Sequence, residues 1–67
     1  MDWTEYLRLV YRALLDNPEW RVGQTFYNVL AQHRPDLAAE VDCTDLDPFY
    51  DDSRLTRFRD HIRPPRW

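Results

Sequence analysis

The sequence is short of several things, and each shortage excludes something. It holds one glycine, Gly23, which leaves no phosphate-cradling glycine loop and no glycine-dependent hairpin turn. It holds one cysteine, Cys43, so neither an internal disulfide framework nor a multi-cysteine zinc site can be built. It has no lysine, and all nine basic residues are arginine, the better residue for bidentate pairing and stacking. No apolar run approaches the roughly 18 residues of a membrane span. The opening MDWTEYLRLV has no charged stretch followed by an apolar one, so neither a transmembrane nor a secreted protein is expected, and a cytoplasmic one is. No alternating β-branched run and no Asn-Gly turn is present, so no strand is expected.

What is there describes a small packed domain. In 67 residues, 43% are hydrophobic and 15% aromatic, too apolar for a disordered tail. A chain of this size buries only about 60% of its unfolded surface. A deep substrate cleft would remove much of what holds it together. The net charge of -3 is segregated. Residues 36–53 carry Asp36, Glu40, Asp42, Asp45, Asp47, Asp51 and Asp52 with no base, whereas residues 54–67 carry Arg54, Arg57, Arg59, Arg63 and Arg66 against Asp60 alone. The simplest expectation is that these two blocks pair with each other; the alternative is that one of them faces a partner.

Every periodic segment reads at the helical period. Asp2 and Glu5 have the spacing of a capping box, and Trp3, Leu7, Val10, Tyr11, Leu14 and Leu15 follow as one broad apolar face, giving a helix over 3–16. On that face Tyr6 points away. Asn17-Pro18 ends the helix, and Pro18 opens a short turn carrying Trp20. A second helix runs over 21–33 with Val22, Phe26, Val29, Leu30 and His33 inward. Gly23 in its first turn predicts close approach of a neighbour, an aromatic ring being the favoured one. Pro35-Asp36 starts a short third helix with Leu37, Ala38 and Val41 inward. Asp47 is placed to cap a single turn with Pro48 in its first position, and Asp52 or Ser53 to cap a last helix with Leu55, Phe58 and Ile62 inward. The expected architecture is an all-α bundle of three to four short helices. Residues 1–63 form one domain and 64–67 a Pro-rich tail.

The segments NPEWRVGQTFYNVL (17–30), RPDLAAEV (34–41) and TDLDPFYDDSR (44–54) carry a resemblance. Trp20-Arg21, Gly23-Gln24, Asn28 and Asp47-Pro48-Phe49-Tyr50 occurring together resemble a group of short bacterial and phage proteins with no established activity. The resemblance implies a phage or mobile-element context and nothing about mechanism.

Tests for chemistry return little. Asp45, Asp47, Asp51 and Asp52 crowd together, but an EF-hand loop counted from Asp45 would place Tyr50 where glycine is needed and Thr56 where glutamate is. Helix caps explain these aspartates better, and no metal or other cofactor is expected. Cys43, His33 and His61 follow no zinc spacing. Cys43 or Ser53 as nucleophile, with His33 and Asp36, lacks any paired catalytic motif, so no enzyme is expected. Ten aromatics exceed what a core this small can take in, and tyrosine, tryptophan and arginine dominate protein–protein hot spots. The expected function is therefore a non-enzymatic interaction module, phage- or prophage-associated, that binds a host or self protein surface. Its candidate contacts are Tyr27, Tyr50, Asp51, Asp52, Arg57 and Trp67. Phe49 is expected to lean to the core and Trp67 to pack on Pro64-Pro65. A homodimer with 45–52 or 54–67 in its interface is expected to help so small a domain. The alternative is a nucleic-acid-associated factor using the Arg-rich C-terminal helix, which the acidic overall balance disfavours.

Overall fold

The protein is described by a computed structural model covering Met1–Trp67. It is all-α, with four helices and no strand: α1 (Trp3–Asp16), α2 (Val22–His33), α3 (Pro35–Val41) and α4 (Leu55–Ile62), the last entered through a single 3₁₀ turn, Asp52–Arg54. No helix is long and apolar enough to cross a membrane.

The local signals act where the sequence places them. Asp2 Oδ1 accepts from the Glu5 N–H at 2.8 Å and so satisfies one of the unpaired donors at the start of α1. Asn17 ends that helix, its N–H and its side-chain amide both donating to the Ala13 carbonyl, and a turn through Pro18 closes with Trp20 N–H on Asn17 O. Pro35 opens α3 at its first position, where its missing N–H costs nothing.

The core is a cluster of ten side chains contributed by all four helices: Tyr6 and Val10, then Phe26, Val29 and Leu30, then Leu37, Ala38 and Val41, then Phe58 and Ile62. The inward set of α3 is the expected one, and so are Phe58 and Ile62 of α4, with Leu55 half-buried against them. Two helices differ. In α1 Val10 is buried as expected and Trp3, Leu7 and Leu14 pack partly on the core, but Tyr6 is fully buried, whereas Tyr11 is 70% exposed and Leu15 83%. The reason is polar as much as apolar. The Tyr6 hydroxyl donates to the Phe26 carbonyl at 2.7 Å, and its ring meets Phe26 edge-on and lies against Trp3 and Trp67. A buried tyrosine needs such a partner, and one with a partner carries a large apolar ring inward. Burial also pushes the Tyr6 phenol well above its usual range, the Arg59 charge offsetting only part of it. In α2, Val22 and His33 stand outside, and Thr25 is buried instead, its hydroxyl donating back to Arg21 O at 3.0 Å.

This geometry separates two substitutions that a helical wheel would rank the other way. Tyr6→Phe should destabilise by about 0.5–1.5 kcal/mol through loss of a buried hydrogen bond. Leu15→Ala should stay within about 0.5 kcal/mol of the parent. Urea unfolding followed by circular dichroism measures both, and a reversed order would restore the expected face of α1.

Candidate functional site

The segment between α3 and α4 is an irregular loop in which polar side chains supply many of the hydrogen bonds. α3 closes with Cys43 in the left-handed region at φ 59°, a conformation that turns the chain sharply. Asp47 then ties both sides of the bend. Its Oδ2 accepts from Cys43 N–H and its Oδ1 from Phe49 N–H, each at 3.0 Å. Thr44 adds a hydroxyl bond to Val41 O and accepts from Leu46 N–H. The expected turn after Asp47 is present as a hydrogen-bonded bend, Asp51 N–H to Pro48 O at 3.2 Å, without helical continuation. The cap of the last helical segment is neither Asp52 nor Ser53. Asp51 takes that place, its Oδ1 accepting from both the N–H and the hydroxyl of Ser53.

Asp52 is thereby free for a different task. Its Oδ1 accepts from Gly23 N–H at 2.9 Å, in the first turn of α2. No side chain local to α2 caps that end, because Arg21 stands at the N-cap. The carboxylate supplied from 29 residues away does so, and its charge suits a helix N-terminus. Beside it, Arg21 Nη2 donates to Phe49 O at 2.8 Å. Pro48, fully buried, presses its carbonyl against the Gly23 α-carbon. The neighbour that Gly23 admits is thus backbone and carboxylate, not the expected aromatic ring. A Cβ there would collide with Pro48 O and lie 2.8 Å from Asp52 Oδ1.

The loop displays an aromatic ledge. Tyr27 on α2 meets Phe49 edge-to-face at 5.8 Å, and Phe49 meets Tyr50 at 4.6 Å. Phe49 and Tyr27 are half-buried, whereas Tyr50 is 82% exposed. Burial first, then the neighbouring Asp42, raises the Tyr27 phenol above its usual range. Beside Tyr50 lies an open groove of about 300 Å³ lined by Cys43, Thr44, Asp45, Asp47, Asp51 and Arg54. Arg54 pairs with Asp51 at 3.6 Å and donates to Thr44 O.

Of the expected contact residues, Tyr27, Tyr50, Asp51 and Asp52 therefore belong to one loop and its support. Arg57 is exposed on α4 and makes no ion pair. Trp67 is half-buried and packs on Trp3 at 5.9 Å and Tyr6 at 4.9 Å, with the Arg34 guanidinium 5.1 Å over its ring. Its Nε1 is buried without a hydrogen-bond partner. Arg66 joins Glu40, which His61 also reaches at 3.1 Å. The acidic and basic blocks thus meet at Asp51–Arg54 and Glu40–Arg66, while Asp47 and Asp52 bind backbone N–H groups instead.

Cys43 is exposed, and its thiol is pushed up, first by the Asp42 charge; its hydrogen-bond partner is Asp42 Oδ1 at 3.6 Å. An activated cysteine needs the opposite environment. No group of three His, Cys, Asp or Glu side chains is arranged to hold a metal ion. Sequence reasoning missed the exposed Tyr11 and Leu15, although the surplus of apolar residues around the first helix was a signal. A scan against protein-family models, a search of curated proteins and a search of solved structures each returned no match.

Two outcomes test the loop. Gly23→Ala should cost about 1–3 kcal/mol by overpacking against a backbone carbonyl, and Asp52→Ala about 0.5–2 kcal/mol by uncapping α2. Denaturant midpoints read both, and a stabilised Gly23→Ala protein would deny the close approach. The pH dependence follows from three carboxylates. The hydrogen bond from Arg34 lowers Asp36 to about 2, Arg66 and His61 lower Glu40, and Ser53 lowers Asp51. Groups depressed on folding stabilise above their unfolded pKa and lose that contribution as pH falls through the folded one. The melting temperature should hold above about pH 5 and fall from about pH 4 towards 2. Asp36→Asn should remove part of that fall; an unchanged acid limb would show that the Arg34 pair contributes nothing.

Proposed function

We propose that this protein is a non-enzymatic interaction module of phage or prophage origin, cytoplasmic, which acts by occupying a host or self protein surface. The observation that carries the reading is Tyr50. It is 82% exposed, yet its ring is backed by Phe49, which is backed by Tyr27. An exposed aromatic held rigid from below loses little freedom on binding, which is the character of an interface anchor. Asp45, Asp47 and Asp51 around it supply a polar rim that favours a basic partner surface. The resemblance to short phage proteins supports the same context, because the segments that carry it are the ones that build this ledge. Self-association through 45–52 or 54–67 is the version in which the partner is a second copy.

A second reading rests on Arg57 and Arg59, which make no ion pair and leave α4 cationic. A nucleic-acid partner would use them. Immobilised protein in host lysate, with and without nuclease, distinguishes the two. A captured protein that survives nuclease and is lost with Tyr50→Ala supports the ledge. Capture that disappears with nuclease, and falls steeply with salt, supports the arginines. Sedimentation equilibrium at micromolar concentration tests the second copy, and a mass of 8.2 kDa throughout would remove it.

A further inference from the structure

α1 carries more apolar side chains than the core receives. Its buried line is Tyr6 and Val10, with Ala13 half-buried below them. One position further along, a rotation of roughly 100° about the axis, come Leu7, Tyr11 and Leu14, with Leu15 one turn after Tyr11. Leu7 and Leu14 give the core only part of their surface, and Tyr11 and Leu15 are 70% and 83% exposed. An i, i+4, i+7, i+8 row is what one helix offers another. α4 does not cover it. That helix has eight residues and meets α1 at Trp3, where Leu55, Arg59 and Arg63 line a shallow cleft of about 280 Å³.

The charges bordering the row are predominantly positive, Asp60 being the one carboxylate that lines the Trp3 cleft. Arg8 and Arg12 lie on its solvent side and Arg59 and Arg63 on the Trp3 side. Arg8, Arg12 and Arg59 make no ion pair, and Arg63 has only Asp60 of its own helix, at 3.8 Å. The acids of α1, Glu5 and Asp16, fall further round the helix. We infer that the Leu7–Tyr11–Leu14–Leu15 row is a docking site for an amphipathic helix of a partner protein whose apolar face is flanked by glutamate or aspartate. A second copy fits poorly, because pairing α1 with itself about a two-fold axis sets Arg8 and Arg12 against their own counterparts. A bilayer fits poorly too, since four side chains, two of them half-buried, offer little to insert. The inference shares with the proposed function the premise of protein binding but rests on residues other than Tyr50 and its supports.

The test uses labelled peptides of about 18 residues with a leucine face, flanked by glutamate in one and by lysine in the other. Fluorescence anisotropy should show the glutamate peptide binding at least about tenfold more tightly. Backbone amide shifts should change along Leu7–Leu15 and at Arg59. Leu15→Glu and Arg8→Glu, both at exposed positions, should each weaken binding by about tenfold while leaving the melting temperature unchanged. Tyr50→Ala should leave peptide binding intact, which separates failure of this site from failure of the ledge. Equal affinity for the two peptides, no binding of either, shifts centred elsewhere, or stronger binding to anionic vesicles would each overturn it.

Discussion

The hydrogen bond from Gly23 N–H to Asp52 Oδ1 holds the start of α2 to the irregular segment between α3 and α4. α2 begins without a side-chain cap of its own, and the loop after α3 has no regular structure to keep its place. Each supplies what the other lacks. Four amide donors at a helix start need acceptors, and a loop carboxylate with no local duty is one. The absence of a Cβ at residue 23 lets Pro48 come close enough for Asp52 to reach. A single glycine in the chain sits where only glycine fits. From that contact follow the bond from Arg21 to Phe49 O, the edge-to-face contact of Phe49 with Tyr27, and the outward projection of Tyr50.

Arg21 and Gly23 thus meet Pro48, Phe49 and Asp52 although the two groups are distant in sequence. Residues 21 and 23 on one side and 48, 49 and 52 on the other are halves of one joint. The acidic run has a similar explanation. Read as composition, it suggests a partner or a cation. In place, Asp47, Asp51 and Asp52 each accept backbone N–H groups, and Asp51 also holds Arg54. A 67-residue chain with little core relies on local side-chain bonds to fix its loops.

Much of this was legible in the sequence, and the remainder was not for definite reasons. The bounds of α1, the proline start of α3 and the inward residues of α3 and α4 follow from caps and spacing, which are local. That Gly23 admits a close neighbour was also legible, because it is the one glycine. That the neighbour is Pro48 was not, since a 25-residue separation carries no periodic signal. Asp51 and Asp52 have the same chemistry one position apart, and only the location of Gly23 assigns their roles. Tyr6 misled for another reason. A helical wheel ranks residues by hydrophobicity, whereas Tyr6 is inward because Phe26 O accepts its hydroxyl.

The Tyr6 displacement has a consequence beyond itself. A helix can turn one side to a core, and α1 has apolar residues enough for nearly two. By turning Tyr6 and Val10 inward, where the Tyr6 ring meets Trp3, Phe26 and Trp67, the fold leaves the row that begins with Leu7 at the edge and beyond it. Such a row weakens solubility, and its Tyr11 and Leu15 add little to the core, so it is a cost unless something covers it. The Tyr50 ledge is rimmed by carboxylates together with Arg54, and the α1 row by guanidiniums of which only Arg63 has a carboxylate partner. The two surfaces therefore carry charge of opposite sign, and a chain with a net charge of only -3 offers both.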